Sequence, residues 1–237
     1  MDIINLNPIL IGLLVLLVTL TRYGFERMVS HALKLIPIER TSVQLFVKGL
    51  ILIVFNIAVL ALFGLLKGEL FAFTEPKKGV IIVAIGLGLG ITTALLSLLA
   101  IKAGFGSGYN SLASVSSLDK RITLATFMLL AGSIEDIFFI GFAQNSLTPS
   151  LGWGAMISYL VLFIVYHYAN VISGIETKKE FFGILPIRLI VALLLSLSFY
   201  LTKTLVYGFI VHNLIDTLSY LAVLYAVNLP QKQITPS

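Results

Sequence analysis

Cysteine is absent from this 237-residue chain, which excludes disulfides, a thiolate nucleophile and any Cys-ligated metal. Charge is scarce as well: Asp, Glu, Lys and Arg together make up 11% of the residues, against about a quarter in an ordinary soluble domain. With 58% hydrophobic residues and a mean hydropathy of +1.04, a soluble globular fold is excluded, because a chain of this length has too little interior to hide that much apolar surface. Lipid accepts such surface on the outside. The expected fold class is therefore all-α, a polytopic transmembrane helix bundle forming a single integral membrane domain over residues 1–237. No Walker motif and no internal repeat is present. The excess of 16 Lys and Arg over 11 Asp and Glu reads as loop charge facing anionic membrane lipid, and a nucleic-acid partner is set aside.

Apolar runs of about 20 residues, the length that crosses a bilayer, fall at roughly 4–21, 45–66, 79–101, 122–143, 152–172, 184–202 and 205–227, giving about seven spans. The first reads as a retained span, since Met1 to Pro8 carries no Lys or Arg and no small-residue cleavage site stands out before Arg22. Counting basic residues in alternate connections places ten on one side (Arg22, Arg27, Lys34, Arg40, Lys102, Lys120, Arg121, Lys178, Lys179 and Lys232) and four on the other (Lys67, Lys77, Lys78 and Lys203). The richer side is expected to be cytoplasmic, with the N-terminus outside and the C-terminus inside.

Between the first two spans, Arg22 to Ile36 is expected to form a helix lying in the interface. Arg27, His31 and Lys34 share one stripe and Phe25, Val29, Leu33 and Ile36 another, which makes His31 a surface residue. The connection from Gly104 to Leu118 is rich in Gly and Ser and reads as a flexible linker, with a gate as the alternative. Gly86, Gly88 and Gly90 lack the spacing of a dinucleotide fingerprint and lie inside an apolar span; Gly86 and Gly90 at i,i+4 suit close helix packing.

Ionisable groups inside hydrocarbon cost several kcal/mol unless paired or hydrated, so the few within the spans point to function. They are Lys48, Glu135, Asp136, His167, Arg188, His212 and Asp216. Lys48 and Arg188 lie near span ends and can snorkel. The other five are acids or imidazoles within the last four spans, where together they can form a site in a cavity; the structural alternative is interhelical hydrogen bonding. His212 and Asp216 at i,i+4 share a helix face, where the carboxylate can fix the imidazole tautomer. Adjacent Glu135 and Asp136 are about 100° apart on a helix, so the second acid needs a partner of its own.

The segment Glu135-Asp136-Ile137-Phe138-Phe139-Ile140-Gly141 resembles the E-E-x-x-x-R-G motif of the CAAX prenyl protease and bacteriocin-processing family, also called the Abi family of intramembrane peptidases. Phe163 to His167 is similar to that family's F-x-x-x-H, and His212 to Asp216 to its H-x-x-x-N/D; with the lead-in from Thr204 to Val211, the resemblance covers Gly132 to Leu218. It implies a helical bundle around a conical cavity and a glutamate-dependent endopeptidase without cofactor. The implied substrate is a lipidated or membrane-bound peptide, cut near its C-terminus in a prokaryotic cell membrane. Residues 122–227 then form the family core, 1–121 the variable spans with the interfacial helix, and 228–237 a tail.

By motif position Glu135 would be the general base for water, His167 would help to hold that water, and His212 and Asp216 would face the scissile carbonyl oxygen. Two positions depart from the motif. Ile140 stands where it carries Arg, and Asp136 where it carries a second Glu; Arg188 is the expected substitute cation for Asp136. Asp216 replaces the Asn of well-known members, and an ionised Asp cannot donate to an oxyanion.

Other readings use the same residues. Glu135, His167, His212 and Asp216 are nitrogen and oxygen ligands suited to zinc, although no H-E-x-x-H pair is present. His167 and His212 can serve as axial ligands of a haem. Glu135, Asp136 and Asp216 can form a cation relay in a transporter. A non-catalytic homologue acting as an interaction or immunity protein would explain the missing Arg. The sequence does not set the oligomeric state.

Overall fold

The computed structural model describes residues 7–37, 40–102, 114–172 and 176–228. Among them the regular structure is helical throughout. The Gly- and Ser-rich connection expected from Gly104 lies outside the described residues as far as position 113. Six helical stretches are long and apolar enough to cross a membrane: 8–35, 41–62, 76–102, 117–172, 178–202 and 206–227. The fourth, of 56 residues, turns back at Gly152, whose φ of +53° favours glycine. Its two halves then pack against each other, with the Phe139 and Tyr166 ring centroids 5.1 Å apart. This doubling accounts for the seven apolar runs.

Local chemistry sets the helix ends. Helix α1 (Pro8–Leu35) starts with Pro at its first position and the Asn7 side chain accepting the Ile9 N–H at 2.9 Å. It runs unbroken for 28 residues, so 22–36 is no separate interfacial helix. The stripe holds in part: Arg27, His31 and Lys34 are exposed while Val29 and Leu33 are buried, but Phe25 is only half-buried and Ile36, expected on the apolar stripe, is exposed. Helix α2 (Thr41–Leu62) and helix α3 (Pro76–Lys102) follow.

The run 117–151 is not a uniform α-helix. Helix α4 (Ser117–Thr126) passes into a π segment, Phe127–Ala131; helix α5 (Gly132–Asp136) passes into a second, Ile137–Gln144; helix α6 (Asn145–Leu151) completes it. Helix α7 (Ala155–Ile172) returns along it. Helix α8 (Lys178–Thr202) opens on a capping box between Thr177 and Glu180 and ends at Lys203, which takes the left-handed conformation; helix α9 (Val206–Val227) follows at once.

Small residues let α9 enter the bundle. A Cβ at Gly86 would lie 2.5 Å from Val211, and one at Gly90 would lie 3.0 Å from Leu218, so the glycine pair of α3 does serve close packing against α9. Gly132 does the same for α5, where a Cβ would lie 2.5 Å from His212. Gly49 admits Leu130 and Ile134 to α2. The core gathers Phe63, Phe138, Phe139, Phe142, Tyr159 and Phe163, while Leu13, Leu17, Ile81, Ile85, Val161 and Val165 face outward, as lipid permits.

The two ends of the bundle are distinct. At one, Arg40 pairs with Asp119 at 3.6 Å, and Asp119 also takes the Ser42 hydroxyl. At the other, Thr204 donates to the Leu70 carbonyl, Thr74 to that of Thr202, and Lys78 to that of Leu201. The grouping matches the alternate-connection count, with Arg40 and Lys120 at one end and Lys67, Lys78 and Lys203 at the other.

Candidate active site

Helix α5 carries Glu135 and Asp136 to α9, and the close approach at Gly132 brings His212 between them. Asp136 is fully buried, and its Oδ1 lies 3.0 Å from His212 Nδ1. A carboxylate accepts, so Nδ1–H donates and Nε2 is turned the other way. There it stands 4.0 Å from Glu135 Oε2 and 4.0 Å from Asp216 Oδ2. These separations exceed a direct hydrogen bond and suit two groups that share one intervening oxygen atom.

Asp136 and Glu135 thus face opposite nitrogens of one imidazole. The acid that fixes the His212 tautomer is Asp136, not Asp216 one turn along α9. The Glu135 and Asp216 side chains keep 20% and 31% of their surface exposed against none for Asp136, so the open side of the site is theirs.

His167 is placed differently. Its Nδ1 meets its own helix at the Phe163 carbonyl, 2.9 Å away, and its ring lies on that of Phe163 at 4.2 Å. The neutral ring then has Nε2 as an acceptor. Its charged neighbours include Arg188, His212 and Asp216. On α7 the ring centroid of Phe163 lies 6.1 Å from that of His212.

Arg188 does not supply a cation to Asp136. It binds Glu176 at 3.0 Å and stacks over Phe181, because α8 begins at Lys178 and holds Arg188 against the connection from α7. Nor does Lys48 snorkel to lipid, since it pairs with Glu26 at 3.1 Å.

The polar groups that the sequence reading passed over come from α1 and α2. Arg22, expected at the interface, is 1% exposed. It donates to Glu26 and to the side-chain Oδ1 of Asn56 at 3.3 Å each, and its guanidinium lies 5.0–5.4 Å from the ring centroids of Phe138, Phe139 and Tyr166. Asn56 also donates to the Ile134 carbonyl at 2.7 Å, and from α9 Asn213 accepts the Gly132 N–H at 2.9 Å and donates to Ser133 at 3.1 Å. Flanked by wide π turns, the five-residue α5 is therefore held from both sides by side-chain amides. A signal existed for Asn56, a polar residue inside the apolar run 49–66, whereas Arg22 and Glu26 stand among other polar residues of α1 such as Arg27, His31 and Lys34. The site accordingly draws on the first two spans as well as the last four.

Among the described residues, no group of three or more His, Asp or Glu side chains converges closely enough to hold a metal ion.

A helical membrane bundle with a sealed carboxylate, an oriented imidazole and a half-open carboxylate side by side is an integral multi-pass membrane protein equipped for acid–base chemistry. The model of a protein family, Type II CAAX prenyl endopeptidase Rce1-like, matches residues 118–218, the stretch carrying Glu135, Asp136, His167, His212 and Asp216. The match supports the resemblance to the CAAX protease and bacteriocin-processing family over that stretch. No curated protein and no solved structure matches the chain.

Proposed function

We propose that the protein is an intramembrane endopeptidase that hydrolyses a peptide bond near the C-terminus of a lipidated or membrane-associated peptide, using water activated by Glu135. The observation that carries this reading is the Asp136–His212–Glu135 arrangement, one imidazole held at Nδ1 by a buried acid and facing a more accessible one across 4.0 Å at Nε2. A water oxygen placed in that gap would touch both a base and a ring nitrogen.

Glu135 takes a proton from water as the water oxygen bonds to the scissile carbonyl carbon. His212, backed by the Asp136 carboxylate, can carry a proton on Nε2 and offer it to the oxyanion that forms. Collapse breaks the C–N bond, and the proton held by Glu135 passes to the leaving amine. His167 keeps Nε2 as an acceptor for water, and Asp216 is an acceptor for a substrate N–H. Each positioned base or donor of this kind is worth about a hundredfold or more in rate.

The test is cleavage of a quenched fluorescent prenylated C-terminal peptide by detergent-purified protein, beside Glu135→Ala and His212→Ala and with a zinc chelator. Turnover lost in both variants and indifferent to chelator is the expected result. Loss with chelator moves the chemistry to a metal. No turnover in the wild-type chain favours the non-catalytic reading, which draws on Ile140, a fully buried apolar side chain where the family motif has Arg.

A further inference from the structure

Arg22 is the most deeply buried cation of the described chain, and the mechanism above does not use it. One of its nitrogens, Nη2, is buried without a hydrogen-bond partner, and so is Glu135 Oε2. Three aromatic faces enclose the guanidinium, and two of them, Phe138 and Phe139, lie on the π segment that follows Glu135. Through Asn56 it is two hydrogen bonds from the Ile134 carbonyl, next to Glu135 in the chain. A cation costs several kcal/mol in such a place unless acids answer it. Glu26 is one, at 3.3 Å, but Glu26 also answers Lys48 at 3.1 Å and the Tyr166 hydroxyl at 3.2 Å. One carboxylate thus faces two cations, and the remaining positive charge has Glu135 within Coulombic range.

We infer that Arg22, from a helix outside the family-matched segment, is a positioning residue for Glu135 and supplies the cation that position 140 lacks. The inference rests on the peptidase reading for its purpose, yet the charge relation between Arg22 and Glu135 can be measured without turnover. Glu135 is faced by Asp136 on its own helix, His212 and Asp216 on α9, Arg22 and Glu26 on α1, and Tyr159 and Tyr166 on α7. Lys48 on α2 acts through Glu26, and Arg188 on α8 faces His167. His212, when it carries a second proton, also faces Glu135 with positive charge at 4.0 Å; Arg22 is the permanent cation of this set that lies among the rings of Phe138, Phe139 and Tyr166.

The experiment is infrared titration of the full-length protein in lipid nanodiscs, with the Glu135 carboxyl band identified by its loss in Glu135→Gln. Arg22→Met, which keeps an apolar stem among the rings, is expected to move the Glu135 midpoint to higher pH by about one unit or more, and Arg22→Lys to return most of it. Arg22→Gln, which removes the charge but keeps amide donors for Glu26 and Asn56, is expected to move the midpoint the same way and serves if Arg22→Met does not fold. An unchanged midpoint in either neutral variant, or an equal shift in Arg22→Lys, overturns the inference. Peptide cleavage run on the same samples separates the two ideas. Turnover in the wild type with no midpoint shift sinks the role of Arg22 alone, and a shift without turnover in any sample sinks the peptidase reading alone.

Discussion

At the scale of the residue, the site turns on how two adjacent carboxylates are given different work. Asp136 is sealed and spends one oxygen on His212 Nδ1, while Glu135 keeps a fifth of its surface and looks at Nε2. Asp136→Asn keeps shape and hydrogen-bonding capacity but removes the charge behind the imidazole. On the peptidase reading, kcat is expected to fall by about 100-fold or more with KM little changed, which steady-state cleavage kinetics will check. The pair Glu135 and Asp136 was legible from sequence because acids in apolar runs are rare, and so was the need of Asp136 for a partner of its own. Its identity was not: His212 is 76 residues away, Arg188 was the expected partner of Asp136, and spacing along α9 assigned the imidazole to Asp216. The partners of Asn56 and Arg22 were illegible for a related reason, since Ile134, Phe138 and Phe139 lie on another helix.

At the scale of the element, the π segments on either side of α5 decide where its side chains point. A turn wider than 3.6 residues rotates everything after it, so positions counted on an ideal helix drift from their expected faces. Nothing in the composition of Phe127–Ala131 or Ile137–Gln144 announces this. The glycines are more readable. Gly132→Ala would push a methyl group against His212 and is expected to cost about 1–3 kcal/mol, seen as a lower melting temperature in detergent together with lost turnover. Gly88→Ala, on the open side of α3 with nothing within 4 Å, is the matched control and is expected to leave both unchanged or to raise stability slightly.

At the scale of the whole molecule, the absence of cysteine is an asset, because single introduced thiols report which side of the membrane each end faces. A membrane-impermeant maleimide is expected to label Lys67→Cys in intact cells and Lys178→Cys only after permeabilisation; the reverse pattern would invert the orientation. Both side chains are exposed and lie in connections that the basic-residue count assigns to opposite sides. The sequence by itself determined that this is a helical membrane protein, roughly where its spans lie, how its basic residues divide between two ends, and which acids and imidazoles stand inside. Those properties follow from hydrophobicity and charge, which act position by position. Only the tertiary structure decided that Asp136 holds His212, that Arg188 belongs to Glu176, that His167 Nδ1 is taken by the Phe163 carbonyl, and that α1 and α2 bring Arg22 and Asn56 to the back of the site. Pairing inside a bundle depends on helix rotation and close approach at glycines, and those are set by contacts between segments far apart in the chain.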